Sequence, residues 1–185
     1  PWGGKRPLFG TDPIAFAAPL GDADPVVIDI SLSKVARGKI MAAHQQGKSI
    51  PEGWALDPDG NPTTDPAQGM AGTMVPMGDA KGTALAIMVE MLCAGLTGAN
   101  YAYDASSFFD GEGTPPGTGQ LIIAMDPEAF GPGAIERFAV LASAIEGMEG
   151  TRLPGRRRQK LKAEMIANGI PVDDALLAQI EALGR

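Results

Sequence analysis

The sequence is poor in the two side chains most used for metal binding and nucleophilic catalysis: its 185 residues contain one cysteine and one histidine. A lone cysteine, Cys93, excludes an internal disulfide framework and a cysteine-rich zinc site, and it suits a reducing compartment. No histidine lies near it in sequence, so it reads as a small buried hydrophobe. The histidine, His44 in HQQGK, falls near a predicted helix end and reads as a surface residue or a partner of the helix dipole. A Gly-x-Ser-x-Gly elbow is also missing. No segment reaches the ~18 uninterrupted apolar residues of a bilayer span, because Glu90 breaks the longest apolar stretch, residues 83–96. Positive charge is in short supply: 15 Lys and Arg stand against 22 Asp and Glu, for a net charge of −7, which argues against a nucleic-acid-binding face. The opening PWGGKRPLFG has no secretory pattern. It also has no initiator methionine, so either processing or a longer parent chain is expected.

What is present makes a loop-rich globular piece, one domain or one domain with a small appendage, with 44% hydrophobic residues for a core. Short strands are expected at IAFAA (14–18) and VVIDIS (26–31), bounded by Pro13, Pro19 and Pro25, and a third at QLIIAM (120–125). The unbroken apolar runs VVIDI and QLIIAM predict strands covered on both faces. Residues 33–46 favour helix, with Gly47 as its stop, and residues 50–79 read as a long ordered loop. Residues 82–96 form the strongest expected helix, so apolar all round that burial is predicted, with Gly98 ending it. Helices are further expected at 134–148, with Ile135, Phe138, Leu141 and Ile145 on one face, after LPG (153–155) as far as Gly169, and at 173–183 between an Asp173 cap and Gly184. Strands first and helices last indicate an α+β protein, divided into an α+β domain over 1–130 and a helical segment over 131–185.

The residues alone assign no catalytic group. Asp57, Asp59 and Asp65 cluster in the predicted loop, but DPDGNPTTD lacks the order and distal glutamate of a calcium loop and reads as turns. MGDAKGT (77–83) misses the Walker A order, and no Gly-x-Gly-x-x-Gly follows a strand. The turn still has suitable physics for an anion, with Lys81 before a helix N-terminus and Gly78 and Gly82 permitting close backbone approach. The alternative is a solvated lysine beside a tight turn, and local reasoning does not separate the two.

Six stretches in order, GTDPIAFAAP (10–19), VVIDISLSKVARGKI (26–40), IPEGWALDPDGNPTTDP (50–66), VPMGDAKGTALAIMVEMLCAGLTGA (75–99), TGQLIIAMDP (118–127) and RLPGRRR (152–158), resemble the malate/L-lactate dehydrogenase family. That family includes sulfolactate, ureidoglycolate and diketogulonate dehydrogenases and the cyclic imino-acid reductases. The resemblance implies an NAD- or NADP-dependent enzyme with a non-Rossmann fold, a mixed or antiparallel sheet flanked by helices, in a cytoplasmic homodimer. It places Thr11 on the substrate side, and Asp29, Ile30, Ser31, Ser33, Lys81, Gly82, Gly155, Arg156 and Arg157 along the cofactor. The charges of Lys81 and the arginines suit a pyrophosphate, and Ser31 and Ser33 suit a ribose or carboxamide. Helix capping is the structural alternative for the serines. A solvated first turn is the alternative for Arg156 and Arg157, although the helix dipole disfavours positive charge there.

Two positions depart from the family pattern. Asp12 stands where asparagine is usual, and Lys39 stands where the imino-acid reductases carry aspartate, which leans towards a 2-hydroxy or 2-oxo acid substrate. The family's proton-donating histidine and carboxylate-gripping arginine belong to an N-terminal half expected to precede this sequence. No catalytic residue is therefore assigned within the chain, and the chain alone is expected to be inactive. A small-molecule acid is the expected partner, in a homodimer completed by that half, with neither nucleic acid nor membrane. A cyclic imino acid is the alternative substrate, and a truncated nucleotide-binding or structural subunit the alternative role.

Overall fold

A computed structural model describes residues 1–108 and 111–183; the predicted Gly184 stop lies outside them. The chain groups into two compact units, one of residues 1–16 and 29–126 and one of residues 17–28 and 127–185. The sequence had placed residues 17–28 with the α+β portion, whereas they group with the C-terminal helices.

Both N-terminal strands form where expected, as β1 (Ile14–Leu20) and β2 (Ala23–Ile30). They pair as a two-stranded sheet across a turn at Gly21, whose φ of 65° is one that glycine adopts without strain. Coverage on both faces is not found: Val26, Val27 and Ile28 are half-buried, and Asp29 and Ile30 are exposed. Among the described residues the sheet has two strands, so β2 has a neighbour on one side alone.

In the first unit, helix α1 (Arg37–Gln45) is shorter than predicted at its start. Residues 32–34 are instead drawn into extended pairing with residues 75–77, through Lys34 N–H to Val75 O (2.8 Å), Met77 N–H to Leu32 O (2.8 Å) and a bridge between Ser33 and Pro76. Gly47 ends α1 as predicted: at φ 61° its N–H reaches His44 O, and Lys48 N–H reaches Ala43 O, the paired bonds of a Schellman cap.

Residues 50–79 are not the predicted loop. They contain β3 (Ala55–Leu56), β4 (Pro62–Thr63), α2 (Pro66–Ala71) and β5 (Thr73–Met74), with antiparallel order β4-β3-β5. The proline and glycine density reflects tight turns between very short elements. The acidic residues serve those turns: Asp57 Oδ1 accepts from Asp59 and Asn61 N–H, and Asp65 Oδ1 accepts from Ala67 and Gln68 N–H at the start of α2. Val35, Ile40, Ile50 and Ala55 make the unit's buried cluster, flanked by Trp54, Met70 and Met74.

Helix α3 (Ala80–Glu90) continues as a π-helical turn, Met91–Gly95, and Gly98 follows at φ 71°. Its predicted all-round burial is overturned. The buried positions are Gly82, Ala86 and Glu90, while Leu85, Ile87, Met88 and Met91 are exposed. Residues 120–125 are not a strand, and Ile122 is 85% exposed. A strand needs a neighbour for its ladder, and among the described residues none pairs with this segment.

The second unit carries α4 (Ala134–Glu146), α5 (Arg156–Asn168) and α6 (Asp174–Leu183). Its core is Leu20, Ala142 and Leu153, with Val26 and Ile145 against them. The face of α4 is thus rotated from the predicted one, because small Ala142 admits close packing while Phe138 and Leu141 stay exposed. Gly169 follows α5 at φ 84°, and Asp173 Oδ1 accepts from Ala175 and Leu176 N–H as the predicted cap.

Candidate functional site

Leu32 is the pivot of the first unit's site. Its N–H donates to Thr11 O at 2.7 Å and its carbonyl accepts from Met77 N–H at 2.8 Å, so one backbone residue ties the Thr11 loop to the segment entering the Gly78–Lys81 turn. Leu32 itself is buried, while Ser31, Ser33 and Thr11 around it are half-buried. The capping alternative for the serines fails, because Ala36 precedes α1 with no side-chain cap. Ser33 Oγ donates to Val35 O at 2.7 Å and lies 3.1 Å from Ser31 Oγ. With its proton committed to Val35, Ser33 accepts from Ser31. Asp29 and Ile30 lead into this stretch, exposed at the end of β2.

The turn after Met77 has Gly78 at φ 68° and Asp79 at φ 57°. Lys81 lies inside the first turn of α3 rather than before it, and it is exposed. Gly82 is buried, and a Cβ there would overlap the Met77 carbonyl. Its glycine is therefore explained by backbone packing, which gives physical substance to the tight-turn alternative for this one residue. Lys81 remains available to an anion.

Gly155, Arg156 and Arg157 belong to the second unit. Gly155 stands before α5 at φ 88°, where a Cβ would lie 3.2 Å from Val27 O. The misfit of cations at this helix start is relieved for Arg156 from within the unit, since its Nε lies 2.7 Å from Glu146 Oε1. That hydrogen bond, followed by the Glu146 charge and the more distant Asp24, holds the guanidinium above its ordinary value. Arg157 is exposed and makes no ion pair among the described residues.

The sequence reading missed Glu90. It registered only as a break in an apolar run, yet it is 9% exposed and sits against Asp12, itself 7% exposed with φ 42°. Burial first, then the Glu90 charge and a hydrogen bond with Glu90, push the Asp12 carboxyl up to about 7. The available signal was spacing: Gly82, Ala86 and Glu90 recur every four residues, the stripe of α3 that small side chains allow closest to the rest of its unit. His44, by contrast, is exposed in the last turn of α1. Among the described residues no three His, Cys, Asp or Glu side chains group as a metal site, and no helix is long and apolar enough to cross a membrane.

Comparison with known proteins gives this arrangement a context. Residues 1–181 match the malate/L-lactate dehydrogenase family. A (2R)-3-sulfolactate dehydrogenase (NADP(+)) of Chromohalobacter salexigens is 54% identical over 98% of this chain and 54% of its own length. A Delta(1)-pyrroline-2-carboxylate reductase of Ancylobacter novellus is 42% identical over 100% of this chain and 55% of its own. Among solved structures, the delta1-piperideine-2-carboxylate reductase of Pseudomonas syringae pvar. tomato superposes with a TM-score of 0.90 at 38% identity, over 99% of this chain and 56% of that one. The sulfolactate dehydrogenase of Methanocaldococcus jannaschii follows at 0.81 and 35% identity, over 97% of this chain and 53% of that one. The chain thus spans about half the length of the relatives it matches. With helices and small antiparallel sheets in an α+β arrangement, and a match over nearly its whole length, the chain belongs to the malate/L-lactate dehydrogenase family.

Proposed function

We propose that this chain is the cofactor-binding portion of an NAD(P)-dependent oxidoreductase with a non-Rossmann fold, acting on a 2-hydroxy or 2-oxo acid. The observation that carries the reading is the Leu32 pivot, which brings Thr11, Ser31 and Ser33 into one backbone network with the turn bearing Lys81. The donor chemistry of the first unit fits a dinucleotide: Lys81 supplies an exposed ammonium for a phosphate, and the serine pair hydroxyls for a ribose or carboxamide. Asp29, Ile30 and Gly82 complete the proposed cofactor set of this unit, with Gly82 acting through the tight turn that its packing against the Met77 carbonyl allows. Gly155, Arg156 and Arg157 are the cofactor candidates of the second unit. Bound nicotinamide would supply the hydride chemistry. The chain's own residues bind and orient it, with Thr11 towards the substrate, and no residue of this chain is assigned as the proton donor that carbonyl reduction requires.

NADP(H) is favoured by the 54%-identical relative, whose name specifies it. The same relative favours a 2-hydroxy acid over a cyclic imino acid, in agreement with Lys39 on α1. A cytoplasmic homodimer, which the resemblance implies, is part of this reading. Fluorescence titration of the chain with NADPH and NADH, with inorganic phosphate as competitor, tests it. Saturable dinucleotide binding that phosphate displaces only weakly is expected. No binding to the folded chain, or displacement by phosphate alone as effectively as by dinucleotide, would contradict the reading.

A further inference from the structure

Beneath the Thr11 loop is a buried acidic pair to which the proposed chemistry gives no role. Asp12 lies in the left-handed region at φ 42°, a conformation aspartate tolerates better than most side chains. Asp12 lines a pocket of about 90 Å³ together with Leu32, Ser33, Arg37 and Ala86. Asp12 Oδ2 is fully buried and has no donor facing it among the described residues. Glu90, on the buried stripe of α3, is the hydrogen-bonding and charged partner of the Asp12 carboxyl, and its Oε2 accepts from Ala102 N–H at 3.3 Å. Two ionised carboxylates in such a place repel, Asp12 Oδ2 has no donor among the described residues, and the arrangement is relieved when one proton sits between them.

We propose that Asp12 and Glu90 hold one proton between them, and that this shared proton is a positioning device which fastens the Thr11 loop to α3. Resting on the reading of Thr11 as substrate-side and Lys81 as cofactor-side, the inference gives those two groups a physical link. Asp12 follows Thr11 directly, and Glu90 is on the helix whose first turn carries Lys81. The buried Oδ2 cannot touch substrate, so the pair acts through Thr11 and not on the reacting atoms.

The consequence of pH has a definite sign. Asp12 is raised from 3.8 to about 7 in the folded chain, so the folded state binds the extra proton between these values. Stability conferred by that proton is full below the unfolded value and is lost as pH rises through about 7. The charged groups that face Asp12 are Glu90 from α3 and, lining the pocket, Arg37 from α1, whose guanidinium donates to Met70 O at 2.6 Å, and the amine of Pro1. Residues 72–74 and 76 bring no charge to it. Arg37 and Pro1 are common to wild type and variants, so a difference between them isolates the pair.

The test is urea unfolding of the full chain from pH 5 to 8.5, with NADPH titrations at pH 6 and 8. Wild type is compared with Asp12→Asn, whose amide still donates to Glu90, and with Asp12→Ala. The wild-type midpoint should fall through about pH 7, while the Asn variant lacks that fall. Wild-type NADPH affinity should weaken by up to about tenfold from pH 6 to 8, the scale of one pKa unit of coupling. The Asn variant should bind equally at both, and the Ala variant should bind weakly at both. A wild-type unfolding profile without the fall, or an Asn profile parallel to wild type, overturns the proposal. If the Asn variant does not fold, Glu90→Gln serves: the fall should move to lower pH, and an unmoved fall overturns it. The unfolding arm needs no ligand. Failure of NADPH to bind with the expected unfolding profile would end the cofactor reading and the positioning role together, leaving only proton sharing. Binding with a flat wild-type profile would end the pair alone.

Discussion

Helices α1 and α3 invert what their sequences lead one to expect. α1, RGKIMAAHQ, is polar over most of its length, yet its Ile40 is 0% exposed at the centre of its unit's core. α3, AKGTALAIMVE, is far more apolar, yet it buries Gly82, Ala86 and Glu90 and turns Leu85, Ile87 and Met88 outward. One helix buries its central apolar side chain and the other leaves most of its large apolar side chains exposed. Apolar content reports how much surface a helix has to bury, and neighbours of the right shape decide which face is buried. For α3 the closest approach belongs to the smallest side chains, and this places a charged residue where only a paired carboxyl is tolerated.

The comparison can be broken first at Gly82. Gly82→Ala places a methyl group on the Met77 carbonyl, and we expect loss of folding or a destabilisation of about 4 kcal/mol or more in urea unfolding. A fully stable variant would show that α3 does not need its close approach. Ile40→Ala comes next, with an expected cost of about 3 kcal/mol for a fully buried isoleucine; a cost below about 1 kcal/mol would mean that α1 is not the anchored helix. Smallest is Met88→Gln on the exposed face of α3, expected to change unfolding free energy by no more than about 0.5 kcal/mol. A larger loss would reveal that this face is already covered in solution.

Features set by local stereochemistry were legible in the sequence. Strands β1 and β2 follow from apolar runs bounded by prolines, the Gly47 and Gly169 stops from the left-handed conformation, and the Asp173 cap from its hydrogen-bonding reach. Features that depend on a distant neighbour were not legible. QLIIAM has the composition of a buried strand, but no residue within it says whether a partner strand is present. Ser33 and Lys34 have helical propensity that yields to pairing with residues 75–77, some forty positions away. The candidates Thr11, Ser31, Ser33 and Lys81 came from motif resemblance, and the structure supplied the Leu32 backbone bonds that tie the Thr11 loop to the segment entering the Lys81 turn. The Arg156–Glu146 ion pair was not legible because Glu146 lies on another helix. Glu90 was passed over because a single charge in an apolar run looks like an interruption until its stripe on the helix is drawn.

The account rests on α3 presenting Lys81 to the dinucleotide while its buried stripe holds the helix in place. The most direct measurement is an NADPH fluorescence titration of wild type and Lys81→Ala at pH 6, with urea unfolding of both as the control for folding. The account predicts saturable binding to wild type, affinity weakened by about tenfold in the variant, on the scale of one lost charge-assisted contact, and unchanged unfolding midpoints. Equal affinity in the two proteins would return Lys81 to the solvent and contradict the proposed site.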